Sequence, residues 1–200
     1  MREFLEGVYE AIMSTSAWEG LAVFLSLSYL FLAMRQSLWC WPAAFLSTLI
    51  YAILFFDASL LMDSALNAYY LIMAVYGWYA WKHGKRENEE REVSSWGVVK
   101  HLKIIGMLVC VSLLFGYLMA TYTRADFAYL DSATTIFAVF TTYMLAQKIL
   151  ENWLYWIVID AVSIYIYIEK AFYLTAVLFF LYTVLATFGF YQWKKDKRVS

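Results

Sequence analysis

Seven apolar runs, most of them close to 20 residues long and set apart by polar breaks, leave this 200-residue chain little choice of fold. The hydrocarbon core of a bilayer is about 30 Å thick, and a helix needs about 20 apolar residues to cross it. In lipid, backbone N–H and C=O groups must be satisfied within the spanning element, so such runs read as transmembrane helices. They fall at about Trp18–Met34, Leu38–Phe56, Leu60–Trp81, Val98–Tyr122, Leu130–Ile149, Asn152–Ile168 and Phe172–Trp193. Hydrophobic types make up 64% of the chain and charged types 16%. Soluble domains sit near about 45–50% and about 25%. A soluble globule, a disordered chain and a disulfide scaffold are therefore excluded. The expectation is an all-α membrane protein with seven transmembrane helices.

The remaining composition narrows the function. A net charge of −1 gives no basis for nucleic-acid binding. Cys40 and Cys110 lie in apolar segments and read as buried free thiols. His83 and His101 sit in or beside one charged loop, Lys82–Ser95, with no metal-ligand spacing. The opening residues have no cleavable signal pattern, because Glu6 and Glu10 interrupt any apolar core; a short interfacial helix fits them. Trp39, Trp41, Trp78, Trp81, Trp153, Tyr191 and Trp193 cluster at span ends and read mostly as interfacial anchors. With seven spans, one side carries Arg2, Arg124 and Lys170 and the other the remaining twelve of 15 basic residues. The positive-inside rule then puts the C-terminus in the cytoplasm and the N-terminus outside.

The chain also repeats itself. At an offset of 112 residues, Trp41 falls on Trp153 and Asp57 on Glu169. Leu66, Tyr70, Ala74, Gly77, Tyr79, Trp81 and Lys82 fall on Leu178, Tyr182, Ala186, Gly189, Tyr191, Trp193 and Lys194. Two three-span units in the same orientation need one extra crossing between them, and the fourth run has no repeat partner. A 3+1+3 arrangement of parallel repeats follows, with repeat one at about 18–82, a linker span at about 98–122 and repeat two at about 130–195, all in one transmembrane domain. Parallel repeats of this kind occur in the sugar-facilitator (SWEET) fold and point to transport.

Polar side chains in a span are costly unless they face a cavity or another helix. Asn152, Trp156, Asp160, Ser163 and Tyr167 share one face of the sixth run, and Asp160 is the most deeply placed carboxyl group. The third run shows Asp63, Asn67, Tyr70, Ala74 and Gly77 on one face. Asn67 and Tyr70 read as ligand contacts or as bonds between helices, and Gly77 and Gly189 as points of close helix approach. Asp131, Thr134, Ala138 and Thr141 line a face of the fifth run, where the threonines can simply satisfy backbone carbonyls. Trp153 and Trp156 offer flat faces to an aromatic or cationic ring.

Three stretches carry a family resemblance. YGWYAW (Tyr76–Trp81) followed by a basic loop, ENWLYWIVID (Glu151–Asp160) and the run Tyr173–Trp193 resemble segments of PnuC-type vitamin transporters, and the likeness extends over about residues 18–195. The resemblance implies a SWEET-like 3+1+3 fold that carries nicotinamide riboside across the inner (cytoplasmic) membrane by facilitated diffusion. It implies a cytoplasmic kinase that traps the product, and it is compatible with a homotrimer. Relatives carry thiamine, riboflavin or deoxynucleosides; the pattern at Asn152, Trp153 and Trp156 is closer to the nicotinamide riboside branch. Some members have an extra N-terminal span that this chain lacks. The substrate contacts expected are Asn67, Tyr70, Thr134, Asn152, Trp153, Trp156, Asp160 and Ser163, with no cofactor and no metal. Thiamine transport, proton-coupled uptake through Asp160 and a role as the binding subunit of a larger importer stand as alternatives. An intramembrane enzyme does not fit, since the spans carry no nucleophile–base pair or metal-ligand motif.

Overall fold

The computed structural model describes residues 2–57, 61–83, 91–123 and 126–197. Lys85, Arg86, Arg124 and Arg198, which entered the charge balance above, and the side chain of Asp63 lie outside the described residues. The described residues form eight α-helices: α1 (Arg2–Ser14), α2 (Ala17–Met34), α3 (Cys40–Asp57), α4 (Leu61–Lys82), α5 (Val98–Tyr122), α6 (Ala128–Ala146), α7 (Asn152–Glu169) and α8 (Tyr173–Lys197). The seven apolar runs become α2 to α8, and α1 is the short amphipathic segment before them.

Local chemistry sets the boundaries. Ser16 caps α2 in a reciprocal box: its hydroxyl accepts from Glu19 N–H (3.1 Å) and its own N–H donates to the Glu19 carboxylate (2.9 Å). Pro42 sits in the first turn of α3, where its missing N–H costs nothing. Helix α6 stops at Ala146, three residues short of the apolar run, because Lys148 turns the chain with a φ of 50°. The equivalent turn after α2 places Gln36 at a φ of 55°. Helix α8 runs on to Lys197, with Lys194, Lys195 and Lys197 in its last turn, where cations complement the carbonyl end.

Among the described residues, four helices, α2, α3, α5 and α8, are long and apolar enough to cross a membrane. The other three long helices are the more polar ones: α4 carries Asn67, α6 four threonines, and α7 Asn152, Asp160 and Ser163.

Packing follows the 112-residue offset. Helix α2 packs on α3 as α6 packs on α7, α3 on α4 as α7 on α8, and α4 on α6 as α8 on α2. Helix α5 packs on α6, and α1 on α8. Gly77 and Gly189 occupy matching positions: a Cβ on Gly77 would lie 2.2 Å from the Trp41 ring, and one on Gly189 2.8 Å from the Trp153 ring. Trp41 meets Trp81 edge-on at 5.3 Å between centroids, and Trp153 meets Trp193 at 5.4 Å.

These four tryptophans are not interfacial anchors. Trp41, Trp81, Trp153 and Trp193 are 2%, 2%, 1% and 0% exposed and form the centre of the core. Trp39, Trp78 and Tyr191 do stay exposed. Between helices in lipid there is no hydrophobic gain, so close packing and hydrogen bonds must hold the bundle. All four indoles supply packing, and Trp81 and Trp193 also donate hydrogen bonds. Cys40 is buried, but Cys110 is exposed on the outer face of α5, so only one thiol is buried as expected.

Candidate functional site

A cavity of about 860 Å³ lies between the two sets of helices. That is within the range of small-molecule sites, about 300–1,000 Å³. Helices α2, α3 and α4 line it from one side and α6, α7 and α8 from the other; Phe115 and Met119 of α5 also reach it.

Its wall is mostly apolar with a band of hydroxyls. Thr48 Oγ1 donates to Ala44 O (2.6 Å), Thr134 Oγ1 to Leu130 O (3.1 Å) and Asp131 O (3.0 Å), and Thr142 Oγ1 to Ala138 O (2.8 Å). Each hydroxyl spends its proton on its own helix. What it turns toward a ligand is therefore lone pairs. Ser26 and Ser47 join α2 to α3 through a 2.7 Å bond between their hydroxyls.

Asp160 lines the cavity from α7 and is 3% exposed. Trp156 lies one helical turn before it and Ser163 one turn after, so all three reach the cavity from one face. A second carboxylate, Asp131, is already neutralised: Lys170 Nζ lies 3.0 Å from its Oδ2. Among the described lining residues, Asp160 is thus the carboxyl group with no basic side chain paired to it.

Of the eight expected contacts, seven line the cavity: Asn67, Tyr70, Thr134, Trp153, Trp156, Asp160 and Ser163. Asn152 is not among its lining residues. It is fully buried at the start of α7, and its Nδ2 donates to Ile149 O (2.7 Å), tying down the α6–α7 turn. Thr141 is likewise spent on a carbonyl, that of Phe137 (2.7 Å). Helices α2 and α3 contribute lining that residue patterns alone did not single out: Ser26, Tyr29, Ser47, Thr48 and Tyr51. The offset of 112 was the available signal, since it carries Asp160 onto Thr48, Trp156 onto Ala44 and Ser163 onto Tyr51, all of which line the cavity.

A helical membrane fold wrapped around a mostly apolar cavity of this size, with a band of hydroxyls, fits a small-molecule carrier. The family profile described as nicotinamide mononucleotide transporter matches residues 16–195, and the chain belongs to that family. It is 23% identical over 174 residues to the nicotinamide riboside transporter PnuC of Escherichia coli (strain K12), covering 74% of this chain and 73% of that protein. It is 28% identical over 186 residues to the riboflavin/roseoflavin transporter RibM of Streptomyces davaonensis, covering 87% of this chain and 84% of RibM. Among solved structures, the crystal structure of the vitamin B3 transporter PnuC matches the fold with a TM-score of 0.76 at 16% identity, over 100% of this chain and 90% of that one. The protein is a multi-pass membrane vitamin transporter of the PnuC family and not an enzyme.

Proposed function

We propose that this protein carries nicotinamide riboside across the cytoplasmic membrane by facilitated diffusion. The observation that carries the reading is the cavity's chemistry: among the described lining residues, one buried carboxyl group with no basic side chain paired to it, Asp160, one helical turn from the Trp156 indole, in a wall where the Thr48, Thr134 and Thr142 hydroxyls present acceptors. A cationic pyridinium suits the carboxylate and the indole face. Ribose hydroxyls and a carboxamide N–H suit the acceptors. Asn67 offers an amide to pair with the carboxamide, while Tyr70, Thr134, Trp153 and Ser163 complete the contact set. Asn152 acts from behind, by fixing the turn that starts α7.

The matching packing of α2–α4 and α6–α8, with α5 outside both sets, supports seven crossings in a 3+1+3 order. Transport then proceeds by alternating access, the two units rocking about a central site. The count of basic residues supports an N-terminus outside and a C-terminus in the cytoplasm. A cytoplasmic kinase that phosphorylates the product would hold it inside, and a homotrimer is the assembly proposed.

Calorimetry on the purified protein with nicotinamide riboside, thiamine and riboflavin tests the substrate. Nicotinamide riboside binding at micromolar or tighter Kd, with none of the others, is the expected result. Thiamine binding alone would move the protein to another cationic vitamin; riboflavin binding alone would remove the charge argument. A second reading, proton-coupled uptake, draws on the burial of Asp160. It requires uptake that responds to a pH gradient and loses that response in Asp160→Asn.

A further inference from the structure

The cavity ends in a floor built of matched pairs. Ala33 and Leu145, Trp41 and Trp153, and Ala74 and Ala186 stand 112 residues apart, and all six both line the cavity and belong to the buried core. Behind this floor lie Trp81 and Trp193, whose ring centroids are 6.0 Å apart. Their bonds are exchanged between the two halves. Trp81 Nε1 donates to Leu145 O at the end of α6 (3.3 Å), and Trp193 Nε1 donates to Ala33 O and Met34 O at the end of α2 (both 3.1 Å). Beyond them, Lys148 Nζ donates to Gln36 Oε1 (3.2 Å), again a pair at the same offset, and lies 4.6 Å over the Trp81 ring.

We infer that this layer is the gate on the side of the basic loops, closed in this structure, with Trp81, Trp193 and the Gln36–Lys148 pair as its latch. The inference rests on the carrier reading above. Each exchanged bond joins the third helix of one unit to the end of the first helix of the other. The two units cannot part at this end while the bonds hold. The same end carries Arg35, Lys82 and Lys194, all beside the latch in sequence. Lys148, 3% exposed, sits under the floor, and Gln36 Nε2 donates in turn to Asp196 Oδ2 (2.7 Å) of α8, which ties the pair to the same helix as Trp193.

A second contact bears on the latch from outside it. Ser94 N–H donates to Lys148 O (2.9 Å) and Leu150 N–H to Ser94 O (2.8 Å), so the segment before α5 holds the turn that carries Lys148.

The test reads accessibility and needs no substrate, so it stands apart from the identity of the vitamin. Ser163→Cys, in a Cys40→Ala/Cys110→Ala background, reports from inside the cavity. A membrane-impermeant methanethiosulfonate is applied to sealed vesicles of either orientation. From the basic-loop side, labelling is expected to be slow in this parent and faster by about tenfold or more after Trp81→Phe/Trp193→Phe, which removes two indole donors. Labelling from that side as fast as at an exposed Lys197→Cys control would overturn the inference. So would an unchanged rate in a monodisperse double variant. A separate arm does not depend on the tryptophan variants folding. Gln36→Cys/Lys148→Cys, bridged by a thiol cross-linker, should stop labelling from the basic-loop side and recover on reduction. Undiminished labelling with the bridge formed contradicts the gate.

Discussion

Asp160 and Trp156 carry the selectivity argument at the level of single residues. Replacing Asp160 by Asn keeps the shape but removes the one lining acid without a basic partner among the described residues, and with it the negative charge that a cationic ligand would favour. Affinity for a cationic substrate should fall about tenfold or more, roughly 1.4 kcal/mol, while a neutral vitamin would be little affected; titration calorimetry separates the two. Trp156→Ala removes the ring face and should cost about 1–2 kcal/mol in binding. Gly77 is a packing residue: a Cβ there would lie 2.2 Å from a Trp41 ring that is 2% exposed. Gly77→Ala should cost about 1–3 kcal/mol by overpacking, read as a lower Tm in detergent, and Gly189→Ala somewhat less because its clash is milder (2.8 Å).

The residue scale also shows what a sequence can and cannot reveal. Trp156, Asp160 and Ser163 were legible because helical periodicity puts costly polar groups on one face. Asn152 shares that face but sits at the helix start, where depth rather than direction decides its partner. Trp41, Trp81, Trp153 and Trp193 resembled anchors because indoles at span ends commonly sit at the interface. Gly77 and Gly189 instead open room for two of them in the core.

At the scale of elements, the long apolar helices were legible almost to the residue, since hydropathy marks their ends. The exceptions are α8, which runs past Trp193 to Lys197, and α6, which ends early at Ala146. Gln147 and Lys148 are the polar residues that leave the helix, and Gln147 is held by Arg91, whose guanidinium donates to it, and by Tyr76, to whose hydroxyl it donates. The segment from Arg91 to Ser95 was read only as part of a polar loop. In the structure it is a strap: the Glu151 carboxylate accepts from Ser95 Oγ and Trp96 N–H (3.2 Å) and lies 3.5 Å from His101 Nε2. Glu151→Ala should release it. Faster amide exchange over residues 91–97 and a loss of about 1–3 kcal/mol in stability are expected, with vitamin affinity unchanged because Glu151 is not among the cavity-lining residues.

For the molecule as a whole, the internal repeat holds the most information. It relates helix contacts, the tryptophan pairs, the left-handed turns at Gln36 and Lys148, and the cavity floor by one offset. The two halves differ where the substrate would lie: Asp160 in one corresponds to Thr48 in the other. A symmetric frame thus encloses an asymmetric site; in the function proposed above, the frame serves alternating access and the asymmetry serves recognition of a cation.

The central claim is that this single chain equilibrates a cationic vitamin without an energy source. Uptake of labelled nicotinamide riboside into proteoliposomes containing only this protein, with no ion or pH gradient, tests it directly. The account predicts saturable uptake that levels off at equal concentrations on both sides and is lost or strongly weakened in Asp160→Asn. Uptake that appears only with an imposed proton gradient, or none from the purified chain alone, would contradict it.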